Sequence, residues 1–269
     1  MTYFEFLAVF LFIPVLTLLF ISRHDERIAK AIVGFTNRPT FWLAIMLQTV
    51  VAVFYTTPWD NYLVASNVWY YDPTLVTGKV IGYVPIEEYT FFIVETIMIG
   101  LWWLFLARRI TSSPALVPSK WARVASGLFL IPLWITSLGF LIMGQSQARY
   151  LTIILAWALP PIMIQLWYGA DIIWKHRRLA LLTIIPMTIY LCLADSLAIT
   201  SGTWTISSTQ SIGLFLGSLP IEEALFFLLT SILISFGMTL LLADESSERY
   251  KKILTQLKEL KTRQLIWFI

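Results

Sequence analysis

The chain has 269 residues, 58% hydrophobic and 13% charged, with a mean hydropathy of +0.76, which excludes a soluble globular domain and places it among polytopic membrane proteins. Its formal net charge of +3 comes from basic residues scattered through loops, so it calls for no nucleic-acid partner. The lone Cys192 excludes an internal disulfide and a thiolate cluster, and His24 and His176 sit in loops far from the acidic motifs below, so no metal site is expected.

Apolar runs of roughly 20 residues, the length that crosses a hydrocarbon core, lie near 3–21, 39–56, 81–107, 121–143, 150–170, 178–197 and 212–243. They predict an all-α polytopic membrane protein with seven transmembrane helices. The first run lacks a basic leader and a small-residue cleavage site, and it reads as a span rather than a secretory signal. Arg23, Arg27, Lys30 and Arg38 follow it. Arg108, Arg109, Lys120 and Arg123 follow the third span, and Lys175, Arg177 and Arg178 the fifth; Arg249, Lys251, Lys252, Lys258, Lys261 and Arg263 follow the seventh. Of the 19 basic residues only Lys79 and Arg149 remain for the opposite side. The excess of positive charge on cytoplasmic loops then puts the N-terminus outside and the C-terminus in the cytoplasm. The basic tail, 244–269, has apolar residues at helical spacing and reads equally as an amphipathic helix on the inner membrane surface or as a solvated helix.

The segment GYVPIEEYTFF, from Gly82, returns as GSLPIEEALFF from Gly217, an offset of 135 residues. Without a gap, the same offset sets Asp60 against Asp195, Ser66 against Ser201 and Trp69 against Trp204. Each copy reads as a helix ending in Asp, a loop containing Trp, and a helix opening with Pro-x-Glu-Glu. The predicted organisation is a first repeat over 1–107, a linker with the fourth helix over 108–149, a second repeat over 150–243 and the tail. A shift of four spans keeps both copies in the same direction, related by an axis along the membrane normal, with both acidic motifs facing one another near the outer side.

Ionisable groups at membrane depth cost about 3 kcal/mol or more each and mark functional sites. Asp60, Glu87, Glu88, Glu95, Asp195, Glu222 and Glu223 lie in or at the outer ends of spans. They have only Lys79 and Arg149 as possible cationic partners on that side, so most must be neutral, hydrogen-bonded to one another, or bound to a cation. Adjacent glutamates diverge by about 100° around a helix, so one of each pair can serve chemistry and the other packing. Glu95 lies about two turns deeper than Glu88 on the same face, where the second copy has Thr230. Trp69, Trp204, Phe91, Phe92, Phe226 and Phe227 surround these acids, whereas Tyr70 and Tyr71 read as an interfacial belt. A proton donor beside aromatic faces, which stabilise cations, is what proton-initiated terpenoid cyclisation requires.

The paired PIEE segments, with DNYLVASNVW and DSLAITSGTW, resemble the membrane-integral lycopene cyclases whose two halves occur fused or as separate subunits. The resemblance covers nearly the whole chain outside the tail. It implies conversion of the ψ-ends of lycopene into β-ionone rings, through γ-carotene to β-carotene, an isomerisation in an integral cell-membrane protein. It gives acid and base roles to Glu87, Glu88, Glu222 and Glu223 as a set, with Asp60, Asp195 and Glu95 in support. The implied partners are a lipophilic carotenoid substrate and membrane lipid, with association with other carotenoid enzymes left open. The chain has no Gly-x-Gly-x-x-Gly fingerprint, and no cofactor is expected.

Other readings meet specific obstacles. A retinal protein needs a lysine in the seventh span, and 212–243 has none. A membrane prenyltransferase needs Asp-x-x-Asp clusters for magnesium, and Asp60 and Asp195 are isolated. A cation or proton transporter fits intramembrane acids and repeats, but would be expected to break its helices at the midplane. A carotenoid hydratase would form the same cation and let water capture it; product analysis separates it from a cyclase.

Overall fold

The computed structural model describes residues 1–28, 32, 34–35, 38–110 and 114–267, with the side chains of 38, 39 and 260–267 excepted. Lys30 and the side chains of Arg38, Lys261 and Arg263, used in the charge argument, therefore lie outside the described residues. Among the described residues, seven helices are long and apolar enough to cross a membrane: α1 (Tyr3–Arg27), α2 (Arg38–Ala65), α3 (Ile86–Ala107), α4 (Lys120–Ile142), α5 (Arg149–Lys175), α6 (Arg177–Thr200) and α7 (Ile221–Leu242). The tail forms α8 (Asp244–Trp267). The chain is an all-α membrane protein, as its composition requires.

Some boundaries differ from the hydropathy reading. The second span does not stop at 56. It continues through Pro58 to Ala65, so Asp60 lies inside the helix rather than at its end. Pro58 has no N–H to give the Phe54 carbonyl one turn back, a loss that membrane helices tolerate because neighbouring helices, hydroxyls or water can supply the missing donor.

The third and seventh spans start later than expected, at Ile86 and Ile221, because a tight hairpin precedes each. Strands β2 (Val80–Ile81) and β3 (Val84–Pro85) pair, as do β5 (Phe215–Leu216) and β6 (Leu219–Pro220). Gly82 and Gly217 take the first turn position with φ of 70° and 67°, a conformation that other residues adopt only under strain. At Gly82 a side chain would also strike Asn61, whose Oδ1 lies 2.1 Å from where the Cβ would be. Pro85 and Pro220 occupy the cap position rather than the first helical turn.

Two further strands, β1 (Trp69–Tyr71) and β4 (Trp204–Ile206), pair antiparallel with Trp69 opposite Ile206, Tyr70 opposite Thr205 and Tyr71 opposite Trp204. Nothing in the hydropathy pattern announced this ribbon. It ties together the two loops that precede the acidic motifs.

Helices α3 and α7 form the centre, two-thirds buried, while α4 is about one-tenth buried and packs on α5 at the periphery. The central pair meets at several depths. Phe91 and Phe227 have ring centroids 6.3 Å apart, and Trp103 Nε1 donates to Thr239 Oγ1 at 3.1 Å. Opposite the ribbon, ion pairs lock the helix ends. Arg108 and Arg109 of α3 bind Glu26 and Asp25 of α1, and Arg249 of α8 grips both oxygens of Asp171 on α5 at 2.9 and 2.7 Å.

Candidate active site

The acidic motifs open α3 and α7 side by side, but the two glutamates of each pair face different surroundings. Glu87 Oε1 accepts the Thr77 backbone N–H at 2.7 Å, and Glu222 Oε1 accepts the Ile212 backbone N–H at 2.7 Å. Both residues are wholly buried. Each thus pins the loop upstream of its own helix, and the other carboxyl oxygen, Oε2, has no hydrogen-bond partner among the described residues.

Glu88 and Glu223, one residue further round each helix, turn into a shared cavity of about 30 Å³ between the halves. Asp195 joins them, and the walls are Trp69, Trp204, Phe91, Phe226 and Phe227. Phe92 does not line this cavity. It lines an adjoining apolar one with Glu95, Phe226 and Trp157. Asp60 is fully buried, and neither of its carboxyl oxygens has a partner among the described residues.

The acids are held by tyrosines. Tyr3, in the first turn of α1, donates its hydroxyl to Glu88 Oε2 at 2.6 Å, and Tyr150, in the first turn of α5, donates to Glu223 Oε1 at 2.5 Å. Tyr71 of β1 adds a second bond to Glu88 Oε2 at 2.9 Å. Burial, with Glu88 and Asp60 beside it, holds the Tyr71 phenol well above its ordinary pKa, so it stays a donor. The belt reading of Tyr71 is therefore corrected. Tyr70, half-exposed on the ribbon, does not line the acid cavity.

Sequence reasoning missed Tyr3 and Tyr150 because the ungapped alignment sets Tyr150 opposite Val15. A gap after the first helix of each half would have paired them. The tryptophans also differ. Trp204 Nε1 donates to Asp195 at 2.9 Å, while Trp69 Nε1 has no partner among the described residues and its ring stands edge-on to Tyr150 at 5.3 Å.

No described Lys or Arg forms an ion pair with Asp60, Asp195 or any glutamate of the two motifs. Several carboxyls without a cation, ringed by phenols and aromatic faces, can pass protons and shelter a carbocation, but offer no ready grip for an anionic group such as diphosphate.

Comparison with known proteins fits this arrangement. A lycopene cyclase family profile matches residues 1–106 and 147–241. A lycopene beta-cyclase of Halobacterium salinarum is 34% identical over 190 residues, which cover 71% of this chain and 78% of that protein. Bifunctional lycopene cyclase/phytoene synthases of Podospora anserina and Phaeosphaeria nodorum are 36% and 34% identical, over 73% and 72% of this chain but only 35% and 34% of their own length. No solved structure matches the chain.

Proposed function

This chain belongs to the lycopene cyclase family and is a lycopene cyclase, and we propose that it closes β-ionone rings by acid–base catalysis between its two halves. The observation that carries this reading is the meeting of Glu88 and Glu223 in one aromatic cavity, with no Lys or Arg among the described residues paired to either.

One carboxyl delivers a proton to the terminal double bond of a ψ-end. The tertiary cation is attacked by the next double bond along the chain, a carbon–carbon bond closes the six-membered ring, and a ring proton leaves to a carboxylate. One proton enters and one leaves, so the reaction is an isomerisation and its balance needs no electron acceptor. Trp204, Phe91, Phe226 and Phe227 present faces to the cation. Tyr3, Tyr71 and Tyr150 hold the reacting carboxyls in place, and Asp195, which lines the same cavity, helps return the proton for the next turnover, with the buried Asp60 in support. Glu87 and Glu222 are positioning residues that fix the two helix starts.

The halves act as a parallel repeat about an axis along the membrane normal, with residues 108–149 as linker and the tail outside the repeat. Three pairs at the common offset of 135 support this. Thr77 with Glu87 has its counterpart in Ile212 with Glu222, Tyr70 faces Thr205 across the ribbon, and Glu95 bonds Thr230. The basic loops support an outer ribbon, a cytoplasmic tail and residence in the cell membrane.

Chromatography of carotenoids from lycopene-accumulating cells tests the function. The expected product is β-carotene, lost on Glu88→Gln or Glu223→Gln with the protein still in the membrane. A hydroxylated carotenoid would show that water captures the cation. Full activity in both variants would remove these acids from the chemistry.

A further inference from the structure

Two cavities lie between α2 and α5, and the nearer of them adjoins the small acid cavity. One, of about 100 Å³, reaches Glu95, Phe92 and Phe226 in the middle of the protein. The other, of about 580 Å³, widens toward the tail and is lined by Leu47, Leu241 and Tyr250. They share Gln48, Val51 and Gln165, so they form one groove, narrow toward the acids and wide toward the tail. Phe226 lines both its upper end and the acid cavity, so the groove points at Glu88 and Glu223.

Along α2 the groove runs from Thr40 to Thr56, about 24 Å at a rise of about 1.5 Å per residue. With the acid cavity beyond, that approaches the thickness of a hydrocarbon core, roughly 30 Å, and suits an extended tetraterpene polyene. Its polar lining is largely spoken for. Gln48 and Gln165 donate their amides to the Ile234 and Leu233 carbonyls of α7, each at 2.9 Å, and Thr230 donates to Glu95. A hydrocarbon leaving lipid gains little from the hydrophobic effect, so a protein must hold it by close van der Waals contact over its length. A groove does this and a shallow surface does not.

We infer that this groove binds the polyene chain of the substrate, with the end to be cyclised at the acids and the opposite end in the wide cavity by Leu47 and Leu241. The inference rests on the cyclase reading above. Because the two ends of the groove differ, one end of the substrate reacts per visit. The monocyclic product must leave and re-enter reversed, and its finished ring then occupies the wide end. A ring is bulkier than an open ψ-end, so the wide end matters more in the second round than in the first.

The test compares lycopene and γ-carotene as separate substrates of the full-length protein in lipid vesicles, for wild type, Leu47→Trp and Leu241→Phe, with Leu193→Trp on the exposed face of α6 as control. Narrowing the wide end is expected to lower kcat/KM for γ-carotene at least tenfold more than for lycopene, and the control to leave the ratio alone. Misfolded protein lowers both rates together, so the ratio reads the groove and not the fold, and Leu241→Phe makes the smaller steric demand. A ratio unchanged in both groove variants overturns the assignment and leaves the cyclase standing. Wild-type protein inactive on both carotenoids overturns the cyclase reading itself, and the groove's role with it.

Discussion

Thr230 donates its hydroxyl to Glu95 at 3.1 Å, deep between α3 and α7. Where one half has a carboxyl the other supplies the group that satisfies it. Thr230→Val keeps the shape and removes the donor. An unsatisfied buried acceptor costs about 1–3 kcal/mol, so a fall in thermal stability is expected in detergent-solubilised protein, and Thr230→Ser should recover most of it.

Glu87 and Glu88 are adjacent in sequence but differ in what they touch. Glu88→Gln should lower the cyclisation rate at least about 100-fold, which corresponds to about 2.7 kcal/mol of transition-state stabilisation. Glu87→Gln, whose amide oxygen can still accept from Thr77, should retain a larger share of activity. Equal rates for the two variants, at equal amounts of membrane-inserted protein, would contradict the division of roles.

Tyr3 and Tyr150 hold equivalent carboxyls from opposite halves. Replacing either with Phe removes one hydroxyl and little volume. About a tenfold loss in kcat, with KM nearly unchanged, is expected for each, since neither substitution narrows the groove. Loss confined to KM would assign the phenols to substrate binding.

The two repeated tryptophans should respond unequally. Trp204→Phe keeps an aromatic face but strands Asp195 without its indole donor. Trp69→Phe breaks no hydrogen bond present among the described residues. Thermal unfolding should therefore show the greater destabilisation for Trp204→Phe, by about 1–3 kcal/mol.

At the tail end, Lys175 and His176 meet Glu245 at the start of α8. Burial pushes the His176 imidazole below its usual value against the pull of Glu245. Burial also opposes ionisation of Glu245, but the Lys175 ammonium outweighs it and holds that carboxyl below its usual value. In both cases the unfolded group binds its proton more readily than the folded one, so stability falls as pH falls. The histidine contribution should begin to fade below a pH of about 6.5. Limited proteolysis of the tail from neutral to mildly acid pH should show increasing cleavage, and His176→Gln should flatten the upper part of that rise.

The sequence by itself determined the seven helices, the membrane setting and the acidic motifs, because hydropathy and a repeated motif are properties of local composition. It also marked Asp60, Glu95 and Asp195, since a carboxyl in an apolar run is conspicuous wherever the chain folds. It could say that adjacent glutamates diverge around a helix, but not which of each pair turns inward, since that depends on how α3 and α7 lean together. Nor could it show the ribbon joining Trp69–Tyr71 to Trp204–Ile206, whose strands are too short for a periodic signal and exist through pairing across the halves. The tyrosines escaped notice for the same reason. Tyr3 and Glu88 are distant in the chain, and only the packing of α1 against α3 puts phenol and carboxyl within 2.6 Å. Tertiary structure decided the site because a hydrogen bond is set by geometry between elements, whereas a membrane span is set by what each element contains.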